Sequence, residues 1–319
     1  MRHLVWKLTL CLFVGAAIIG PFVLAILSAK ERLLADPVFR FPEGTRILIA
    51  GDSHMETAID PANLPGCTNI ASSSENYFYT YFKLRHFLNR NPGIRTILLG
   101  CGWHNFSRVY NESLLVGDRA GSMADYFPYL DKDGKKVIRR WSPDYLVPFL
   151  TYDVGLPIGF YKNKYLQKGV FLRSLSVSDI TTYGGYVEKN VTQIKPADVR
   201  KKLDIYYGNS SSDSGGSPIM LEYIRKMIDL CEARSVRLIL VNTPVHSMYR
   251  EGVPEWAVDN FERIIPELTV QRNVQYVDLS GLSLPNSSFL DGDHVNRKGA
   301  EIVVKAVAEI IDPARENGL

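Results

Sequence analysis

Short apolar runs alternate along this chain with longer stretches in which apolar residues recur every three or four positions. The runs are Arg46-Ile-Leu-Ile-Ala50, Thr96-Ile-Leu-Leu-Gly100, Val236-Arg-Leu-Ile-Leu-Val-Asn242 and Val274-Gln-Tyr-Val-Asp278, with Thr68-Asn69-Ile70-Ala71 as a shorter candidate. Rich in β-branched residues and leucine, they predict buried strands that open into loops. Between them, residues 76–89 place Tyr77, Tyr81, Leu84 and Leu88 at helix spacing. Residues 219–233 do the same with Ile219, Tyr223, Met227 and Leu230, and residues 297–311 close the pattern. Strands alternating with helices predict an α/β fold, a mostly parallel sheet with helices on both faces. Such sheets bind ligands at the carboxyl ends of their strands, where this chain carries its polar clusters.

The first thirty residues follow a different rule. From Leu8 to Leu27 the chain is free of charge, long enough as a helix to cross a hydrocarbon core of roughly 30 Å. The run exceeds the roughly 7 to 15 apolar residues of a signal peptide, and Leu27 fits poorly before a cleavage point at Ala29. A retained transmembrane helix is therefore the expectation, kinked at Pro21. Arg2 and Lys7 ahead of the run, with Ser28-Ala29 behind it, also fit a cleaved signal peptide, and a buried core helix is the third reading. The division expected is an anchor or signal segment over 1–30, a linker over 31–45 containing Pro37 and Pro42, and a body over 46–319. The body is expected on the extracytoplasmic side, membrane-anchored, or secreted or periplasmic if the segment is cleaved.

Between about 106 and 217 the strand-helix alternation stops. An insertion of this length is usually functional. Its Trp141, Tyr145, Phe149, Tyr152, Phe160, Tyr161 and Tyr165 suit either a carbohydrate groove or ordinary packing of the insertion against the sheet. The 319 residues are 46% apolar and 22% charged, which excludes intrinsic disorder. Lys and Arg number 37 against 34 Asp and Glu, so no electrostatic footprint points to nucleic acid. Cys11, Cys67, Cys101 and Cys231 lack the short pairwise spacing of zinc or redox motifs and allow at most one internal disulfide.

Two polar clusters carry the candidate chemistry. Ser53, between Asp52 and His54, directly follows the first strand. A serine nucleophile needs a base within hydrogen-bond reach and a third group to fix that base's tautomer. Both stand in Phe289-Leu-Asp-Gly-Asp-His-Val-Asn-Arg-Lys-Gly-Ala300, where Asp291 precedes His294 by three residues. Asp293 is expected to point elsewhere. Thr243 and His246 follow the Val236 run and are candidates for substrate contact, whereas His104 reads as structural. Asp52-x-His54 also opens metallophosphoesterase sites, but the further Asp, Asn-His and His-x-His clusters that hold two ions are missing. No metal and no cofactor are expected.

Gly51-Asp52-Ser53, with Asp291-x-x-His294 and Val295-Asn296-x-x-Gly299, resembles the SGNH (GDSL-like) hydrolase superfamily. More narrowly, an anchored chain with a long insertion looks like the envelope proteins that work beside membrane-bound O-acyltransferases in alginate acetylation and teichoic-acid D-alanylation. The resemblance implies a flavodoxin-like sheet, a catalytic pair of Ser53 and His294 oriented by Asp291, and an oxyanion hole begun by the Ser53 amide. Ser72, Ser73 or Ser74 stands where the family's second donor is a glycine amide. Gly100-Cys-Gly-Trp-His-Asn105 replaces the family's Gly-x-Asn-Asp block and makes Asn105 the candidate for the side-chain donor.

The expected activity is serine-dependent acyl transfer through an acyl-Ser53 intermediate, with O-acetylation of an envelope or exported polysaccharide as the reaction. A carbohydrate esterase or deacetylase is the first alternative, and a non-catalytic scaffold subunit of an acylation complex the second. The partners implied are a glycan, a membrane-bound O-acyltransferase and the membrane itself.

Overall fold

A computed structural model of the chain describes residues 2–34, 41–115, 126, 129–141, 184–208 and 216–311. Five strands, β1 (Ile47–Ala50), β2 (Cys67–Asn69), β3 (Thr96–Gly100), β4 (Arg237–Asn242) and β5 (Val274–Asp278), form one sheet. Their order is β2-β1-β3-β4-β5 and every pairing is parallel. That is the order of flavodoxin-type sheets, whose switch point lies between β1 and β3. Each strand starts within one residue of the run predicted for it.

Side chains alternate across a strand, so each strand feeds two cores. Leu48, Ala50, Ile97, Leu99, Leu238 and Leu240 face one layer, built from α3 (Tyr77–Arg90), α7 (Pro218–Glu232) and α9 (Glu255–Leu268). Ile49, Leu98, Ile239 and Val241 face the other, covered by α2 (Ser53–Ala58) and α10 (Arg297–Ile311). Burying each Leu or Ile side chain contributes about 1.5–3 kcal/mol, so the sheet is the rigid centre from which the loops project. Side-chain caps fix the helix starts. Asn76 accepts the Tyr79 amide at 3.2 Å ahead of α3, and Ser217 caps α7, whose first residue is Pro218.

The insertion contributes α4 (Arg108–Ser113), α5 (Lys132–Trp141) and α6 (Pro196–Tyr207) among the described residues. Val199, Tyr206 and Tyr207 of α6 pack with Val245, Tyr249 and Ala257 in a third cluster beyond the end of β4. Tyr249 lies on α8 (Ser247–Gly252). Trp141 packs against the main core, so this ring does the ordinary work of packing. Tyr145, Phe149, Tyr152, Phe160, Tyr161 and Tyr165 lie outside the described residues.

Residues Arg2–Leu34 form one helix, α1, with Pro21 inside it. Many of its side chains lie outside the described residues. Among the described residues no helix is long and apolar enough to cross a membrane, so insertion of the Leu8–Leu27 run rests on sequence alone. All four cysteines are free thiols.

Candidate active site

The turn from β1 into α2 places Ser53. Gly51 has φ +126°, and a Cβ there would lie 3.1 Å from the Gly100 amide nitrogen, so only glycine lets β1 turn this close to β3. Asp52 then caps α2, its Oδ1 accepting the His54 amide at 3.0 Å. Ser53 is the first residue of α2.

The loop before α10 brings the partner. Ser53 Oγ donates to Nε2 of His294 at 2.8 Å, across 241 positions of sequence. On the far side of the ring, Nδ1 donates to Asp291, 3.0 Å from Oδ1 and 3.1 Å from Oδ2. Asp291 also accepts the amides of Asp293 at 3.1 Å and His294 at 2.9 Å, which closes the loop on itself. Asn296 locks this loop to α10. Its Nδ2 donates to the carbonyls of Ser287 at 2.8 Å and Phe289 at 3.2 Å, and its Oδ1 accepts the Lys298 amide at 2.9 Å. Gly299 follows because a Cβ there would sit 2.3 Å from the Ser288 carbonyl oxygen. The Val-Asn-x-x-Gly motif thus holds the imidazole in place.

Asp293 does not point away, contrary to the sequence expectation. Fully buried, it lies 3.4 Å from His294 Nδ1 and 3.3 Å from His54 Nε2. Tyr206 donates its hydroxyl to Asp293 Oδ2 at 3.0 Å. Lys202 places its ammonium 2.9 Å from Asp293 Oδ1 and 3.3 Å from Asp291 Oδ2. Both Tyr206 and Lys202 sit on α6, inside the insertion. Beneath Ser53 the network continues. His54 stacks on His104 with ring centroids 4.2 Å apart, and His104 Nε2 lies 2.7 Å from Asp52 Oδ2, which also takes the Asn105 amide at 2.7 Å.

These contacts set the charges. Burial lowers the proton affinity of His294, but the charge of Asp293 and the hydrogen bond to Asp291 outweigh it and raise the imidazole above its ordinary value. Lys202 pulls in the opposite direction. Burial works against ionising Asp291 and Asp293, yet His294 and Lys202, with His54 for Asp293, hold both below the usual carboxylate range. Asp52, buried like Asp293, is kept anionic by His104 and His54. Burial and the neighbouring His54 hold His104 below its ordinary value despite Asp52, a direction that favours the neutral ring with Nε2–H facing the carboxylate.

The other candidates from the sequence fare differently. The Ser53 amide, at the start of α2, has no acceptor among the described residues. The Ser72 amide is committed to the Gly51 carbonyl at 3.0 Å, which removes it as a free oxyanion donor. Ser73 binds Glu56 through both its amide and its hydroxyl. Ser74 sits in the turn with φ +62° and makes no hydrogen bond to Ser53 or His294 among the described residues. Asn105 spends one Nδ2 hydrogen on Asp52 and its Oδ1 on the Gly102 amide at 2.7 Å, so its first task is to hold that turn.

The substrate-contact candidates have structural tasks as well. His246 caps α8, with Nδ1 accepting the Met248 amide at 3.2 Å and Nε2 donating to Asn286 at 3.1 Å. With both nitrogens engaged inside the protein, His246 braces the 286–294 loop. Thr243 is buried, 3.4 Å from His54 Nδ1.

Ligand-capable atoms of Asp52, His54 and His104, and of His54, Asp293 and His294, lie within 4.8 Å of one another. His54 Nε2 has no hydrogen-bond partner among the described residues, but the carboxylates are engaged. Asp52 accepts from His54, His104 and Asn105, and the Lys202 ammonium occupies the side of Asp293 that a cation would need. The geometry is that of a hydrogen-bonded network around a serine.

A protein-family model that names no activity matches residues 209–314, and no curated protein matches the chain. Among solved structures, a protein from Bacteroides fragilis described as a "putative acylhydrolase" is similar at 10% identity and a TM-score of 0.40, over 86% of this chain and 90% of that one. At that level of likeness the chemistry of this chain has to be read from its own residues.

Proposed function

We propose that this protein is a serine-dependent acyl-transfer enzyme of the SGNH type. The observation that carries the reading is the unbroken line from Ser53 Oγ through His294 to Asp291, at 2.8 Å and 3.0 Å. Ser53 Oγ attacks the carbonyl carbon of an ester while its proton passes to His294 Nε2. Asp291 holds the Nδ1–H tautomer and stabilises the imidazolium that forms. The Ser53 amide is one donor to the tetrahedral oxyanion, and the second Nδ2 hydrogen of Asn105 is the candidate for another. His294 then returns the proton to the leaving oxygen, and an acyl-Ser53 ester remains. An acceptor hydroxyl gives its proton to His294, attacks the acyl carbon, and Ser53 recovers its hydrogen.

The acceptor we propose is a sugar hydroxyl of an envelope or exported polysaccharide, with acyl groups supplied by a membrane-bound O-acyltransferase. The charge-free run Leu8–Leu27 and the resemblance in sequence support this finer reading, with Leu8–Leu27 as a membrane anchor and the catalytic body outside the cytoplasm. Hydrolysis uses the same residues with water as acceptor.

Nitrophenyl acetate tests the chemistry and its direction together. The protein should release nitrophenol, and Ser53→Ala should not. Adding polysaccharide should divert acetyl from water to the glycan. Unchanged acetate release would identify an esterase, and no turnover by the unaltered protein would leave only a scaffold.

A further inference from the structure

Two carboxylates flank one imidazole in this site, where a serine triad needs one. Asp291 lies 3.0 Å and Asp293 3.4 Å from His294 Nδ1. Two anions this close favour the imidazolium, and a protonated Nε2 has no lone pair for the Ser53 hydrogen. Left uncompensated, the pair would disable the base near neutral pH.

The remaining charged and titratable groups facing the ring are few. Lys202 comes from α6, with Nζ 3.3 Å from His294 Nδ1 and in ion-pair contact with both carboxylates. His54 comes from α2, its ring centroid 4.8 Å away, and Ser53 faces Nε2. Tyr206 reaches the site through Asp293. Among these, Lys202 supplies the permanent positive charge. Because Nδ1–H already donates to Asp291, Lys202 acts on the ring through its field and through the carboxylates it neutralises.

We propose that Lys202 is a positioning residue that sets the proton affinity of His294: its ammonium offsets one of the two flanking carboxylates and so limits how far they hold the imidazole in its protonated form, which cannot serve Ser53. This rests on the acyl-transfer reading for its purpose, though not for its measurement. It also gives the insertion a task, since α6 carries both Lys202 and Tyr206 to the loop of His294. The direction in which Lys202 displaces the His294 equilibrium, toward the neutral ring, agrees with this geometry.

The test follows His294 by NMR across pH, with its signal assigned by loss in His294→Gln, in the full protein and in Lys202→Met, Lys202→Gln and Lys202→Arg. Lys202→Gln retains a hydrogen-bond donor and guards against a Lys202→Met protein that does not fold. The expected result is an upward shift of the His294 midpoint by roughly one pH unit or more in Lys202→Met and Lys202→Gln, with Lys202→Arg close to the unaltered protein. The acidic limb of kcat/KM on nitrophenyl acetate should move by the same amount. An unmoved or lowered midpoint in the neutral variants, or an equal shift in Lys202→Arg, would overturn the proposal. If the unaltered protein lacks esterase turnover while the NMR midpoint moves as stated, the function reading fails and the role of Lys202 stands.

Discussion

The hydroxyl of Tyr206 donates to Oδ2 of Asp293 at 3.0 Å, linking two residues 87 positions apart. One belongs to a helix inside the insertion, the other to the loop that carries His294. Asp293 is fully buried, so Tyr206→Phe takes a donor from an ionised carboxylate that water cannot reach. The expected cost is about 1–3 kcal/mol, read as a lower urea midpoint at unchanged slope. An unaltered midpoint would mean that Lys202 and His54 satisfy Asp293 without help.

The pH dependence follows from the signs of the shifts. His294 is raised above its ordinary value, so activity should climb with its half-point above roughly 6.5. A half-point below that value would contradict the paired-carboxylate environment. The raised value of His294 contributes stability that is complete below roughly pH 6.5 and fades as pH passes through the folded value. Asp291 and Asp293 are lowered, and their contribution is present above roughly pH 4 and lost as acid titrates them. Thermal midpoints across pH should therefore drop most steeply below pH 4, with a smaller decline above neutrality as the active form of His294 accumulates.

A second buried ion pair supports the neighbouring loop. Lys83 of α3 contacts Glu75 and the Ile70 carbonyl, with both side chains fully buried. Burial pushes Lys83 down and Glu75 up, and each partner opposes the other's shift. Lys83→Met would strand the Glu75 charge at a cost of about 3–5 kcal/mol. Adding Glu75→Gln should recover much of that loss, as a double-mutant cycle in urea would show. Equal instability of the single and double variants would argue that Lys83 matters through packing alone.

Much of the sheet was legible because parallel strands are buried on both faces and stand out as apolar runs. Thr96–Gly100 and Val274–Asp278 coincide with their predicted runs, and α10 spans Arg297–Ile311 as its spacing implies. Helix α6 lies inside the insertion, where the strand-helix alternation predicts no element, although Pro196 at its first turn and Val199, Leu203 and Tyr206 at helical spacing mark it. α9 is likewise absent from the sequence pattern, because Pro266 interrupts its apolar stripe. The spacing of Asp291 and His294 was readable because three residues of one loop decide it. Lys202, Tyr206 and the inward turn of Asp293 were not, because their meeting depends on how α6 docks onto a loop about ninety positions later.

The acylated serine itself tests the central claim most directly. After brief exposure to nitrophenyl acetate and rapid quenching in acid, which stops deacylation once the adduct has formed, intact mass should show one added acetyl group. Peptide mapping should place it on Ser53, with the adduct absent from Ser53→Ala. An unmodified mass under conditions of steady nitrophenol release, or an acetyl group on a residue other than Ser53, would contradict nucleophilic catalysis by this serine.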